Sequence, residues 1–387
     1  MKSALFLIIL MILIPALPAF AAENPPAGEA GKARIAELYS DIESFDVTLY
    51  SEEPEEALTL EVVLVRPEGK GEEVLDRQVF SVDSLPANTR VIKVGFWDIG
   101  NAERGSYYLR ASLSGEGKLL SESEYGFAYG TRSVSRLRVN DLIPNSEGIS
   151  VALSPVEAVL FDIEYMLVDG SDVVYTAKTE KVSLTSTPET FSAAWGTLLE
   201  NNREYLGRVK IQVYSPKREF IASTEPFTAR DDAEITDIFE DETGASATVF
   251  GRSQVPFEGS LVFTVYELKN GGGEETSGPV ESIRERVPVL LNDDDETVEV
   301  AWNQRLPKGV YRLEIELFGN DGDVIERRET IIESDLSSDS YVNGEAQGAA
   351  NESQSPGGEN GGGIPGFSIG AGLAGLAAVS VFLGKRS

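Results

Sequence analysis

The chain contains neither cysteine nor histidine among its 387 residues. Without cysteine it forms no disulfides, so its stability has to come from buried apolar surface. Without histidine it lacks the commonest general base and the commonest transition-metal ligand. The two absences exclude a Cys/His zinc site, a Ser-His-Asp triad and a Cys-His catalytic pair.

Basic residues are also scarce. The chain has 33 Lys and Arg against 64 Asp and Glu, which gives a net charge of −31 and a sequence pI near 4.4. Such a surface repels nucleic acid and anionic lipid, so we predict no nucleic-acid partner. The charge keeps a protein hydrated and suits a salty medium, in which repulsion between carboxylates is screened.

Tryptophan occurs only three times, and its positions mark an internal repeat. Consecutive Trp residues lie 98 and 107 positions apart, and a Tyr follows each Trp after 10, 10 and 9 positions. The pairs are Trp97 with Tyr107, Trp195 with Tyr205, and Trp302 with Tyr311. Because each Trp recurs at one repeat position, we expect it to fill the same core slot in every unit rather than to build a carbohydrate platform.

Each repeat opens with two apolar segments around an acidic or Asn-containing turn and continues with a long hairpin. The opening segments are 35–49, 137–153 and 235–249, and the hairpins pair 58–65 with 74–82, 159–168 with 173–184, and 261–268 with 283–290. Apolar and polar residues alternate in 209–213 and 313–317, which is typical of half-buried antiparallel strands. Two extra residues after Tyr205 predict a bulge or a longer turn in the second repeat.

The pattern predicts an all-β fold of three tandem antiparallel β-sandwich domains, at residues 33–130, 131–230 and 231–334. In size and pattern the units resemble immunoglobulin-like or fibronectin type III-like modules, although the inter-sheet Cys pair of true immunoglobulins is absent. The resemblance implies that Tyr107 and Tyr311 anchor a sheet corner. The short joints between units predict a semi-rigid rod.

The first 22 residues contain the successive segments of a secretory signal peptide. Lys2 precedes the apolar run 4–14, and residues 15–22 supply the small side chains that a signal peptidase requires. We therefore expect export and cleavage near Glu23, with a disordered linker over 23–32. An uncleaved N-terminal anchor is the alternative.

The other end of the chain predicts an anchor on a stalk. Residues 335–363 are rich in Ser, Gly, Glu and Asn, which favours a disordered spacer. The apolar run 367–383 follows, and as a transmembrane helix it would measure roughly 25 Å at about 1.5 Å per residue, just enough to span a bilayer. Lys385 and Arg386 would then remain on the cytoplasmic side.

Pro365, Gly366 and Phe367 begin this apolar run. With them, the tail 364–387 resembles the PGF-CTERM sorting signals of archaeal surface proteins. The resemblance implies that an archaeosortase-like membrane enzyme removes the tail and attaches a lipid in its place. A conventional single-pass anchor is the alternative, and both place the protein on the outer face of the cytoplasmic membrane.

Candidate chemistry is sparse. Residues 292–296 and 320–323 group hard oxygens that could hold Ca²⁺, but neither continues into an EF-hand loop, so solvated turns are favoured. The carboxylate pairs Glu52/Glu53 and Glu55/Glu56 could serve a glycosidase, yet chance pairs are expected among 64 acidic residues. We therefore predict no catalytic, cofactor-binding or metal-binding residue. Asn351 begins an Asn-Glu-Ser triplet and is a candidate glycosylation site in the stalk.

These features predict a non-catalytic cell-surface protein, a structural or adhesive component of an archaeal envelope that contacts a surface-layer protein, another envelope protein or a glycan. The alternative is a solute- or polysaccharide-binding accessory module of a membrane transporter or enzyme. That alternative requires exposed aromatic residues side by side, for which the candidates are Tyr107, Tyr108, Tyr125 and Tyr129. An enzyme without His and Cys would instead need a carboxylate-lined cleft.

Overall fold

The computed structural model describes residues 33–69, 71–100, 102–130, 135–268 and 278–335, all within one compact unit. Every regular element in these residues is a β-strand, and the strands pair antiparallel, which confirms the predicted all-β class. Within the described ranges there is no helix with the length and apolar character needed to cross a bilayer. The predicted signal peptide, the N-terminal linker, the stalk beyond Asp335 and the tail lie outside the described residues.

The first repeat, residues 33–130, forms two sheets. Its strands are β1 (Arg34–Ser40), β2 (Ser44–Tyr50), β3 (Glu55–Glu68), β4 (Gly71–Leu85), β5 (Arg90–Phe96), β6 (Gly105–Gly115) and β7 (Lys118–Tyr129). One sheet has the order β1-β2-β5 and the other the order β4-β3-β6-β7. The predicted hairpin of 58–65 with 74–82 is the β3–β4 pair.

The second repeat, residues 131–230, has the same arrangement. Its strands are β8 (Leu137–Pro144), β9 (Gly148–Pro155), β10 (Val159–Asp169), β11 (Asp172–Leu184), β12 (Glu189–Ala194), β13 (Glu204–Ser215) and β14 (Glu219–Thr228). The sheets have the orders β8-β9-β12 and β11-β10-β13-β14.

The third repeat, residues 231–334, forms the sheets β15-β16-β19 and β18-β17-β20-β21. Its strands are β15 (Ala233–Glu240), β16 (Gly244–Gly251), β17 (Ser260–Glu267), β18 (Glu281–Arg286), β19 (Asp295–Ala301), β20 (Gly309–Phe318) and β21 (Val324–Ser334). In all three repeats the second strand, β2, β9 or β16, lies between the other two strands of its sheet.

In each repeat the two sheets enclose one apolar core, to which both contribute alternate residues. Trp97, Trp195 and Trp302 lie in these cores with 8%, 0% and 6% of their surface exposed. The prediction that each Trp fills the same core position is therefore confirmed.

Each indole N–H donates a hydrogen bond to the turn that joins the first two strands of its repeat. The acceptor is the backbone carbonyl of Asp41 at 3.2 Å, of Asn145 at 2.8 Å and of Asp241 at 3.2 Å. The side chain of the same turn residue accepts the backbone N–H groups two and three positions later in the chain. One residue thus closes the turn and satisfies the buried indole.

The recurring Tyr is buried in each repeat and makes a hydrogen bond at the start of its strand. The Tyr107 and Tyr311 hydroxyls donate to carbonyls four residues earlier, those of Glu103 and Pro307. The Tyr205 hydroxyl instead accepts from the backbone N–H of Glu200 at 3.2 Å. All three side chains therefore tie the loop that precedes their strand to the core.

The irregularity predicted after Tyr205 occurs late in β13, where the register with β10 shifts between Val213 and Ser215. The β13 residues from Glu204 to Val213 pair with β14 in continuous register, and Gly207 takes the inward position that Leu109 and Leu313 hold in the other repeats. A side chain there would meet the Cβ of Pro144 at 2.4 Å, so the site accepts only glycine without rearrangement. A bulge also occurs in the first strand of each repeat, after Ile35, Val139 and Ile235.

The sheets of the first and second repeats are joined into one sheet of seven strands, in the order β1-β2-β5-β11-β10-β13-β14. At the junction Lys93 of β5 lies opposite Asp172 of β11, and the Val94 N–H donates to the Ser171 carbonyl at 2.9 Å. The sequence pattern predicts sandwiches linked only by short joints, whereas these two share an edge-to-edge contact between a strand and a hairpin tip.

We expect removal of a core indole to be costly. Trp302→Ala should lower the free energy of unfolding by about 3–5 kcal/mol, because it leaves a cavity between the two sheets of the third repeat. Val289→Ala, at a side chain that is 59% exposed, should change it by less than about 0.5 kcal/mol. Urea denaturation followed by circular dichroism measures both, and similar values for the two variants would contradict the core assignment.

The turn at Asp241 predicts that the stability of the fold depends on pH. Hydrogen bonds from the Thr243 hydroxyl and from the Thr243 and Gly244 N–H groups lower the pKa of Asp241 below its ordinary value of 3.8. A carboxyl whose pKa is lowered by folding stabilises the fold above its unfolded pKa, and that stabilisation is lost as the pH falls through the folded value.

Asp241→Asn retains the acceptor oxygen, as Asn145 does in the second repeat, but does not titrate. The stability difference between the parent chain and this variant should therefore shrink below about pH 3.8. Thermal unfolding of both chains at several pH values tests this, and a constant difference would contradict the role of the carboxylate.

Candidate functional site

The acidic segments considered for Ca²⁺ lie in turns and, for Asp295 and Glu296, at the start of β19. Asn320 donates from its backbone N–H to the Asp231 carboxylate at 2.8 Å, and its side-chain oxygen accepts the Glu258 N–H at 2.7 Å. The Asp294 carboxylate accepts the Leu291 N–H at 3.0 Å. Throughout the described ranges no group of three or more acidic residues is arranged to hold a metal ion.

The carboxylate pairs in the first repeat lie at the surface. Glu52 and Glu53 are exposed in the bend that precedes β3. At the start of β3 itself, Glu55 is half-buried and Glu56 is exposed. Their backbone belongs to a strand entry rather than to the wall of a cleft. These glutamates therefore form no site with other polar side chains that recur in the repeats.

The four Tyr residues required by the binding-module alternative do not form a platform. Tyr107 is buried in the core, whereas Tyr108 points to the opposite face of β6 beside Arg110. Tyr125 packs against the first core and lies 5.8 Å from the Tyr39 ring. Only Tyr129, at 38%, is among the exposed large side chains, so this alternative gains no support.

The sorting residues Pro365, Gly366 and Phe367 and the glycosylation candidate Asn351 lie outside the described residues. Their predicted roles therefore stay predictions.

The most unusual site in the described residues is a buried ionic cluster between the first and second repeats. Asp46 of β2 is fully buried, and its two carboxylate oxygens face different cations of β13. Oδ2 lies 3.1 Å from Nη2 of Arg208, and Oδ1 lies 2.6 Å from Nζ of Lys210. Arg208 is 0% exposed and Lys210 is 7% exposed.

Neutral groups complete this cluster. Nη1 of Arg208 donates to the Ser44 hydroxyl at 2.9 Å and to the Thr224 hydroxyl at 3.0 Å. The Tyr39 ring lies over both cations, with its centre 5.9 Å from the Arg208 guanidinium carbon and 5.6 Å from the Lys210 ammonium. Burial raises the pKa of the Tyr39 phenol, and the Asp41 carboxylate beside it adds to the rise.

An apolar patch continues the same contact. Ile92 and Val94 of β5 pack against Met166 and Val168 of β10, all of them buried. At its edge Lys93, itself 6% exposed, reaches Asp172 of the second repeat at 2.5 Å. The contact thus combines a buried charge cluster, an apolar centre and an ion pair at the rim.

What this site can do follows from its burial. A carboxylate that is closed off from solvent by two cations and an aromatic ring has no open position for a ligand, so its chemistry is that of a fixed electrostatic link. Removal of Asp46 would take from both buried cations the carboxylate that they contact. The cluster therefore selects the packing of these two repeats against each other.

Sequence reasoning missed this cluster for a physical reason. Alternation places Arg208 and Lys210 on the outward face of β13 and Asp46 on the outward face of β2, and outward charged residues are normally solvated. The available signal was Met166 and Val168, two apolar residues at outward positions of β10, which indicate that this face is covered.

The second and third repeats meet differently, end to end. Val255 of the third repeat enters the core of the second, and the Gln254 N–H donates to the Ser146 carbonyl at 2.9 Å. The Asn202 side-chain amide donates to the Asp321 carboxylate at 2.7 Å. Asp321, one of the residues considered for Ca²⁺, thus contributes to an inter-repeat contact.

No protein-family model matches the chain, and no curated protein matches it in sequence. Among solved structures, trypsin-activated alpha-2-macroglobulin from Escherichia coli aligns over 79% of this chain and 23% of its own, at 12% identity and a TM-score of 0.21. This chain therefore spans about a quarter of that protein.

Two shorter structures align over nearly their whole length. A DUF4785 family protein from Legionella pneumophila covers 82% of this chain and 98% of its own, at 10% identity and a TM-score of 0.26. The FN1–FN3 domains of chicken CNTN1 cover 79% and 99%, at 12% identity and a TM-score of 0.22.

The ionic cluster makes a quantitative prediction. Asp46→Ala should lower the free energy of unfolding by about 3–5 kcal/mol, because Arg208 and Lys210 stay buried without the carboxylate that they contact. Replacing Arg208 and Lys210 by Met in the same chain should restore most of that loss, since the unpaired charges are then removed.

The matched control is Glu200→Ala, which breaks an ion pair with Arg203 whose side chains are 72% and 41% exposed and which should cost less than about 1 kcal/mol. Chemical denaturation measures all of these variants. A loss for Asp46→Ala no larger than that of the control would show that the cluster contributes little.

Proposed function

We propose that this chain is a non-catalytic exported protein, held at the outer face of the cytoplasmic membrane as a structural or adhesive component of an archaeal envelope. The observation that carries the proposal is the order of segments along the chain. A leader over 1–22, a repeated β body, a polar spacer over 335–363 and an apolar tail begun by Pro365, Gly366 and Phe367 follow one another.

We further propose that the body consists of three Ig-like domains with the boundaries 33–130, 131–230 and 231–334. Support comes from the three separate cores and from the recurrence of the indole-to-turn hydrogen bond and the buried Tyr in each of them. A repeat that preserves its interior while its outward residues differ is suited to presenting surfaces rather than one reactive centre.

The absence of an enzymatic role is part of the proposal. The acidic residues with the best claim to chemistry, at 292–296 and 320–323, accept hydrogen bonds within turns or bridge two repeats. The one fully buried carboxylate cluster described above links two repeats. These roles account for the residues without a reaction.

The proposed partners follow from the termini. The segment 367–383 would contact the membrane until an archaeosortase-like enzyme exchanges the tail for a lipid, and the stalk would carry a glycan at Asn351. The folded body would contact a surface-layer protein, another envelope protein or a glycan. Its charge of −31 disfavours nucleic acid.

The proposal predicts the mass of the native protein. Material from the membrane fraction should lack residues 1–22 and the segment after about residue 363, and it should carry the added mass of a lipid. Intact-mass spectrometry after detergent extraction measures this. A chain that still ends at Ser387 would contradict sorting and leave a conventional single-pass anchor.

Two substitutions distinguish recognition of the Pro-Gly-Phe triplet from recognition of the apolar run as a whole. Phe367→Ala, within the Pro-Gly-Phe triplet, should cause the full-length form to accumulate. Phe382→Ala, within the same apolar run, should leave processing unchanged. Equal processing of both variants would mean that the triplet is not what the enzyme recognises.

A further inference from the structure

The two sides of each sandwich differ in how their edge strands are covered. On one side the edges of the two sheets pack against each other, β1 with β7, β8 with β14 and β15 with β21. On the other side, which we call the open side, the edge strands are β4 and β5, β11 and β12, and β18 and β19. There β5 and β11 meet and join the first two repeats into one sheet. The chain therefore already uses the open side for pairing between sandwiches.

The junction at β5 shows which backbone groups of such an edge strand are available. The Trp97 N–H donates to the Glu43 carbonyl, just before β2, at 3.0 Å. Because hydrogen-bonded pairs alternate along an antiparallel ladder, every second residue of β5 then directs its N–H and C=O groups away from β2. Val94, three positions before Trp97, belongs to this set, and its N–H donates to the Ser171 carbonyl of the second repeat.

The equivalent strand of the second repeat is β12, in which Ser192 lies three positions before Trp195. The Trp195 N–H donates to the carbonyl just before β9 in the same way, at 3.0 Å. Thr190, Ser192 and Ala194 therefore direct their N–H and C=O groups away from β9. Among the described strands only β9 pairs with β12, so these groups line a free edge.

β12 lacks the features by which edge strands avoid pairing with other chains. Charged side chains, proline and bulges discourage the addition of a strand. The open-side strands β4, β18 and β19 carry five, four and three charged residues, whereas β12 carries only Glu189, at its first position. β12 contains no proline, and it pairs with β9 in continuous register.

The side chains beside this edge also suit a further strand. Thr190, Ser192 and Ala194 are small and exposed, and the neighbouring β9 contains no charged residue. On the inner face, Phe191 and Ala193 are half-buried at the margin of the second core. A strand laid along β12 would thus meet a flat outer face and extend the core.

The charge of the chain favours self-association through the second repeat rather than through the others. The second repeat contains 11 basic and 13 acidic residues, a net charge of −2. The first repeat contains 9 and 19, a net charge of −10, and the third contains 9 and 25, a net charge of −16. Repulsion between two copies is therefore smallest where their second repeats meet.

We propose that β12 pairs antiparallel with β12 of a second copy of this chain, about a two-fold axis at Ser192. Ser192 then lies opposite Ser192 of the second copy, and Thr190 lies opposite Ala194. This register pairs every free N–H and C=O group of the edge, and it joins two three-stranded sheets into one. The inference concerns self-association of the body and goes beyond the proposed anchoring.

An introduced thiol tests the contact, because the chain has no cysteine of its own. Ser192→Cys places the thiols of two copies opposite each other at the axis, where paired Cα atoms lie about 5.5 Å apart. A short bifunctional maleimide should join this variant of the full chain into a covalent dimer in detergent micelles.

Glu299→Cys is the matched control, at the equivalent edge position three residues before Trp302. It should cross-link only at the background level of random collisions. Equal cross-linking of the two variants would overturn the proposal.

A lysine at the axis tests the register. Ser192→Lys should weaken dimerisation roughly tenfold or more, because two ammonium groups then meet across the axis. Thr190→Lys places its two ammonium groups about 14 Å apart along the strands, beyond the Debye length of about 8 Å at 0.15 M ionic strength. It should therefore leave dimerisation nearly unchanged. An equal loss in both variants would overturn this register.

Sedimentation velocity of the full chain in detergent micelles measures dimerisation of the parent and of both lysine variants. The concentration range extends to about 1 mM, because a contact through one short strand can be weak. The parent should pass from monomer to dimer and stop there, since an isologous contact closes on itself. A monomer throughout, or growth beyond the dimer, would overturn the proposal. Circular dichroism of each variant distinguishes a lost contact from a lost fold.

Discussion

The hydrogen bond between a buried indole and the carbonyl of a turn is the interaction on which each repeat depends. An indole N–H in an apolar core needs an acceptor, because a buried donor without a partner costs about 1–3 kcal/mol. The turn that begins with Asp41, Asn145 or Asp241 supplies a carbonyl acceptor in every repeat, and in the first repeat the Ser40 hydroxyl is a second one. The side chain of that turn residue holds the turn in shape. The indole therefore fixes the position of the first two strands relative to the core, and the same geometry recurs three times although few other residues are shared.

With the interior fixed in this way, the outward faces are free to differ, and these differences determine how the repeats meet. The first repeat presents a carboxylate where the second presents Ser150 and the third Ser246. That single carboxylate, matched by Arg208 and Lys210, accompanies a face-to-face contact, whereas the second and third repeats meet end to end through Val255. A buried ion pair adds little net stability compared with apolar packing, yet it strongly disfavours arrangements that leave a charge unpaired. The cluster is thus best understood as a device that specifies one packing of two similar sandwiches.

The inner structure could be predicted from the sequence because burial imposes periodicity. Trp97, Trp195 and Trp302, the long hairpins and the opening strand pairs are repeated patterns that only a core position explains. The outward contacts could not be predicted in this way, since alternation assigns Asp46, Arg208 and Lys210 to a face without indicating what covers it. The irregularity expected after Tyr205 is present, but its place at Tyr214 could not be read from the sequence, and neither could the role of Gly207, which makes room for Pro144 of a neighbouring segment. Pro365, Gly366, Phe367 and Asn351 depend on recognition by other proteins, which no fold pattern encodes.

The central claim is that the folded body stands outside the cell, and protease accessibility on intact cells tests it most directly. Trypsin added to intact cells should remove epitopes of the body, residues 33–335, while a cytoplasmic marker stays intact. Antibodies to the body should likewise label cells that have not been permeabilised. Protection of the body until the membrane is broken, with labelling only after lysis, would contradict the account.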